Sequence, residues 1–250
     1  MRGEDVSAIR IADLRPPQRP RVVKNKIQYI MTDVTEPEAV RRVFDTSWPP
    51  HVAHWPLTVF HTVAYIKPSE RKADFLPTYL KVNVEGTRNV LVAAQSAGCS
   101  IFIATSSGSV AIKPNNFFIP PWRRHPRNWV QISPNAEPES LDAPLTKFAG
   151  CYPYSKARAE KIILEADNRR DDFRTGVIRP GHAIYGHGNA NRMSIAFDYL
   201  ERGGSPRYVC RISHGYLCSR LIGPAGCTTL SFNMFLLKMF HSPTSCSSLV

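Results

Sequence analysis

Short apolar runs alternate through the first 180 residues with longer stretches in which apolar side chains recur every three or four positions. Residues 7–13 and 27–33 read as strands that each end in an aspartate, the first followed by the turn-forming pair Pro16-Pro17. Thr35 and Glu38 have capping-box spacing, and Val40, Val43 and Phe44 give the helix they open an apolar face. Residues 57–64 form an apolar run of the length expected for a buried parallel strand. Leu80, Val84, Thr87, Leu91 and Ala94 then fall on one stripe of a long helix, which Gly98 is placed to end. A further strand, 101–104, runs into Thr105-Ser106-Ser107, a helix is predicted over 152–167, and 176–179 is the next strand. Such alternation predicts a doubly wound α/β fold, a parallel sheet with helices on both faces.

In a sheet of this kind ligands bind beyond the carboxyl ends of the strands. Asp13, Asp33, Thr62, Val63, Ala64, Ser107 and Pro180 all lie just past predicted strand ends. Among nine tyrosines only Tyr152 has a lysine, Lys156, four residues on. On a helix that spacing puts both on one face, where an ammonium favours the phenolate and lowers the phenol's pKa. The pair reads either as a tuned proton donor or as an amphipathic helix carrying a surface lysine.

Composition narrows the class. A 43% hydrophobic content argues for a folded globular chain, and 250 residues suffice for one sizeable α/β domain. The net charge of +12 and the basic, aromatic run 122–129 raise a nucleic-acid reading, but no nucleic-acid motif accompanies them and a solvated loop explains the run as well. The six cysteines show no Cys-x-x-Cys spacing, so no metal site is expected. Residues 1–20 lack a signal-peptide core and no apolar run is long enough to span a bilayer. The expectation is free thiols and a cytoplasmic location, with peripheral endoplasmic-reticulum association and a homodimer left open.

Together Ile11-Ala12-Asp13-Leu14-Arg15, Thr32-Asp33-Val34, Val59-Phe60-His61-Thr62-Val63-Ala64, Val82-Asn83-Val84-Glu85-Gly86-Thr87, Thr105-Ser106-Ser107, Tyr152-Pro153-Tyr154-Ser155-Lys156 and Arg179-Pro180-Gly181 carry a family signature. Over roughly residues 5–190 the chain resembles an extended short-chain dehydrogenase/reductase of the 3β-hydroxysteroid dehydrogenase/isomerase-like branch. The resemblance implies a Rossmann-like domain over 1–190 that interconverts a secondary alcohol and a ketone on a sterol, steroid or polycyclic metabolite. It implies Tyr152 as acid/base, Lys156 as its acidifier and nicotinamide-ribose ligand, and Ser107, rather than Ser106, as the group that orients the substrate oxygen. It further implies that Asp13 binds the adenosine ribose, favouring NAD, while Arg15 keeps NADP open. Asp33 and Val34 would flank the adenine, Thr62, Val63 and Ala64 would line the middle of the cofactor, Asn83 would brace the site, and Pro180 would meet the nicotinamide.

Three departures from that pattern stand out. Gly3 is the sole glycine before Gly86, so the family's first strand and glycine-rich phosphate loop have no counterpart ahead of Asp13. The expectation is an N-terminally truncated chain, or a misplaced start, whose sheet lacks its central strand. Past Glu201 there is no Asp or Glu, while four of the six cysteines occur there. Residues 191–250 are accordingly expected to be an aberrant, poorly ordered segment, and a non-catalytic remnant of such an enzyme is the alternative function. Between Ser107 and Tyr152 the loop 113–150 is longer than the family needs and reads as a substrate cover or a surface excursion.

Overall fold

A computed structural model describes residues 5–17, 27–67, 70, 72–112, 114 and 142–180, together with the backbone of Met234–Lys238. Its strands are β1 (Ile9–Asp13), β2 (Gln28–Met31), β3 (Leu57–His61), β4 (Cys99–Thr105), β5 (Arg174–Ile178) and β6 (Met234–Lys238). They form one sheet in the order β2-β1-β6-β3-β4-β5. β1 pairs parallel with β2, β3 with β4, and β4 with β5, as the strand and helix alternation predicts.

The central place is not empty, which corrects the expectation of a sheet without that strand. β6 lies antiparallel to both neighbours, with Met234 opposite Ala12 and His61, and Leu236 opposite Arg10 and Val59. The physical reason is pairing. Without it, β1 and β3 would face each other across a gap with their N–H and C=O groups unpaired in the middle of the sheet. The short apolar run 234–237 supplies those partners; the rest of 191–250, like the stretch 181–190 before it, lies outside the described residues.

The helices are α1 (Pro37–Asp45), α2 (Leu76–Tyr79), α3 (Gly86–Ser96) and α4 (Cys151–Glu165), with a π-type segment, Leu80–Glu85, joining α2 to α3. α1 begins one residue later than the capping box predicts. Its N-cap is Glu36 with no side-chain cap bond, because Pro37, whose fixed φ suits the first helical turn, sets the start. Val40, Val43 and Phe44 of α1, Val90, Leu91 and Ala94 of α3 and Ile163 of α4 share one core with Val59, Phe102 and Ala104 of the sheet. Among the described residues the helices therefore cover a single face of the sheet.

Two contacts set the layer spacing. A Cβ on Gly86 would stand 2.7 Å from Val34 Cγ2, so only glycine lets α3 approach the β2–α1 turn this closely, and Asn89 Nδ2 donates to Val34 O at 2.9 Å. Arg10 is fully buried under Trp48, donating to Val43 O at 2.7 Å, Ser47 O at 3.0 Å and Gln28 Oε1 at 2.7 Å. Gly98, at φ 68°, ends α3 in the left-handed region, as its position predicts.

Candidate active site

The ends of β3 and β4, the π-type segment and α4 build a polar centre at the carboxyl edge of the sheet. Gly150, at φ 138°, turns the chain into α4, so that Tyr152 lies in its first turn and Lys156 one turn further along the same face. Tyr152 is half-buried and Lys156 is 4% exposed. The lysine Nζ donates to Thr105 O, the last residue of β4, at 2.9 Å and to Val63 O, just past β3, at 3.2 Å. Burial pulls its ammonium down to about 8. A cation bound by two strand-end carbonyls is not a surface lysine, and the bland reading of the Tyr152/Lys156 spacing falls on that point.

Asn83 fastens the loop after β3 to α4. Its Oδ1 accepts from Tyr65 N at 2.7 Å, and its Nδ2 donates to Tyr65 O at 3.0 Å and Ser155 Oγ at 2.9 Å. Ser155 Oγ in turn donates to Tyr152 O at 2.9 Å. The π-type segment turns Asn83 inward at this point, and such segments recur at functional sites.

The two serines after β4 are put to different uses. Ser106 is buried and donates to Glu160 Oε2 at 2.9 Å, and Glu160 also pairs with Arg179. Ser107 is half-buried at the N-cap of a 3₁₀ turn, Gly108–Ala111, where its Oγ accepts from Ser109 N at 3.2 Å. Gly108 N donates to Pro180 O at 3.0 Å, so Ser107 and Pro180 border the same edge of the sheet. The Ser106–Glu160–Arg179 linkage was not read from the sequence, although Glu160 stands four residues after Lys156 and Arg179 just before Pro180.

On the other side of β6, Asp13 is buried at the end of β1, where its Oδ1 accepts from Arg15 N at 2.9 Å. Burial raises its carboxyl pKa, partly countered by the N–H groups of Arg15 and Leu14. Asp33 Oδ1 accepts from Thr35 N at 2.9 Å in the turn after β2, and the Val34 side chain packs into the core against Gly86. Thr62 and Val63 are half-buried and Ala64 buried at the end of β3. The expected positions thus gather on one edge in two groups, Asp13, Asp33 and Val34 beside β1 and β2, and Thr62, Val63, Ala64, Asn83, Ser107, Tyr152, Lys156 and Pro180 beside β3, β4 and β5. Among the described residues no helix is long and apolar enough to cross a membrane.

Leaving β6 aside, the order of the parallel strands, β2-β1-β3-β4-β5, is that of a Rossmann-like α/β domain. Residues 1–213 match the 3-beta hydroxysteroid dehydrogenase/isomerase family, and the chain belongs to it. It is similar to the 3 beta-hydroxysteroid dehydrogenase/Delta 5→4-isomerase of Vaccinia virus (strain Ankara), 27% identical over 211 residues, which are 82% of this chain and 53% of that protein. The enzyme of the same description from Mycobacterium tuberculosis (strain ATCC 25618 / H37Rv) is 31% identical over 150 residues, 58% of this chain and 35% of the relative. The chain therefore spans about half, or less, of the curated relatives it matches. Among solved structures, the UDP-glucose 4-epimerase of Thermus thermophilus in complex with NAD aligns with a TM-score of 0.46 and 19% identity, covering 78% of this chain and 55% of that one.

The edge carries a buried carboxylate, Asp13, at the end of β1 and a buried ammonium, Lys156, beyond β3 and β4. The pyrophosphate of a dinucleotide asks for a strand that leads into a helix N-terminus at the centre of the sheet. β6 runs the other way and brings its first residue, Met234, to that edge, and among the described residues no glycine-rich turn opens a helix there.

Proposed function

We propose that this chain carries the catalytic half of an NAD-dependent oxidoreductase that interconverts a secondary alcohol and a ketone on a hydroxysteroid-like substrate. The observation that carries the reading is the buried Lys156 ammonium, held by Thr105 O and Val63 O one helical turn from Tyr152. In the oxidative direction the Tyr152 phenolate takes the alcohol proton, and in reduction the phenol returns it to the ketone oxygen. Lys156 favours the phenolate by its charge, Ser107 donates to or accepts from the substrate oxygen, and Asn83 holds the helix and loop that set their spacing. Asp13 and Asp33 serve the adenosine end, Val34 backs it from the core, Thr62, Val63 and Ala64 line the middle, and Pro180 borders the nicotinamide. A bound nicotinamide supplies the hydride acceptor.

One observation favours a second reading, a chain that keeps the scaffold without turnover: antiparallel β6 stands where the phosphate-binding strand would. Incubation with NAD and a 3β-hydroxysteroid, followed by the absorbance of reduced nicotinamide, separates the two. The first reading expects turnover that Tyr152→Phe lowers roughly 10²–10⁴-fold. A folded chain whose fluorescence does not respond to NAD, and which forms no reduced cofactor, would sustain the second.

A further inference from the structure

His61 closes β3 beneath the lysine, 2% exposed. Its Nε2 meets Thr87 Oγ1 at 2.9 Å, and that hydroxyl donates to Asn83 O at 2.7 Å. A threonine hydroxyl has one proton to give. Thr87 therefore accepts from His61, which puts the ring proton on Nε2 and leaves a bare lone pair on Nδ1. Among the described residues Nδ1 is the buried side-chain polar atom with no hydrogen-bond partner.

Beside the ring lies a cavity of about 10 Å³, with His61, Thr87, Thr105, Ser106, Lys156 and Glu160 among its walls. That is room for one water and no more, and a buried water asks for two to four polar partners. His61 and Lys156 share the cavity wall, the one with an unpartnered acceptor in Nδ1, the other with an ammonium whose two carbonyl partners leave it one N–H to spare. We propose that this cavity binds a single internal water that donates to His61 Nδ1 and accepts from Lys156, making His61 a positioning residue that keeps the ammonium solvated from behind. The proposal rests on the Lys156 role given above.

The environment agrees. Burial, aided by the charge of Lys156, pulls His61 down to about 3, so the ring stays neutral and can only accept at Nδ1. Among the described residues Tyr152 and Glu160 are the titratable groups on the lysine's own helix at i−4 and i+4, and Glu160 is tied to Arg179 and Ser106. An aqueous partner would offset part of the desolvation that depresses Lys156.

The test uses the cofactor-free protein. Nitrogen-15 spectra of labelled histidine should show His61 with the proton on Nε2, and its carbon-bound ring proton should exchange magnetisation with a long-lived water. Titration of labelled Lys156 should then show its acid dissociation constant raised about tenfold in His61→Leu, a drop of about one pKa unit. In His61→Asn, whose side-chain oxygen can reach the Nδ1 position, it should stay close to wild type. A proton on Nδ1, the lack of any water contact, or equal Lys156 titration in both variants and wild type would each overturn the proposal. The wild-type spectra decide it even where a variant fails to fold. Absent turnover would count against the oxidoreductase reading alone, since none of these signals depends on it.

Discussion

On the β3–β4–β5 side of the sheet, long-range side-chain bonds tie the polar groups at the carboxyl edge to other elements. Lys156 reaches back to two strand ends, Asn83 joins a loop to α4, and Glu160 gathers Ser106 and Arg179. On the β1–β2 side, Asp13 and Asp33 bond to backbone N–H groups two residues away in their own turns. The strand between the halves comes from residues 234–238 and runs against both neighbours. The difference separates two kinds of preparation. The polar groups around Lys156 are braced across elements, whereas Asp13 and Asp33 are held by their own turns.

The largest expected effect tests the braced half. Glu160→Ala leaves the partly buried Arg179 guanidinium and the Ser106 hydroxyl without their shared acceptor, and should lower unfolding free energy by about 3–5 kcal/mol in a denaturant titration. A loss under about 1 kcal/mol would show that this brace is ornamental, since that is the range of exposed pairs.

The next addresses the seam. Leu236→Pro removes a backbone N–H from the middle of β6 and should destabilise the chain by about 1–3 kcal/mol, read from the same midpoint. An unmoved midpoint would take β6 out of the sheet and erase the contrast between the halves.

The smallest effect falls on the unbraced half. Because burial raises the Asp13 pKa above 3.8, the folded state holds its proton more tightly than the unfolded one. Stability contributed by Asp13 is therefore lost as pH rises through the window that begins at 3.8. Asp13→Asn should flatten that part of the stability profile, with a gain of about 0.5 kcal/mol at neutral pH. A steeper profile in the variant would reverse the sign assigned here.

Much of the braced half was legible because its signals are local. Apolar runs of strand length, a long helical stripe and Gly98 at its end mark elements that the fold keeps, and strand-end positions follow from the alternation. Tyr152 and Lys156 share a face by spacing alone. What the spacing could not show is that two carbonyls bury the lysine, since Val63 and Thr105 are far from it in sequence. His61 reads as a packed histidine in any sequence; its lone pair becomes visible only when Thr87 and Asn83 fix the direction of each proton. β6 was illegible for a related reason. A short apolar run carries no mark of its partners, and antiparallel insertion between parallel strands is settled by the gap it fills, not by its own residues. The capping box misled because Pro37 outranks Thr35 in setting where α1 begins.

The late position of β6 also bears on how the protein is made. Synthesis delivers β1 through β5 well before residues 234–238 emerge, so during that interval two neighbouring strands show open edges at the heart of the growing sheet. Until residues 234–238 pair with them, those edges are templates open to a strand of another chain.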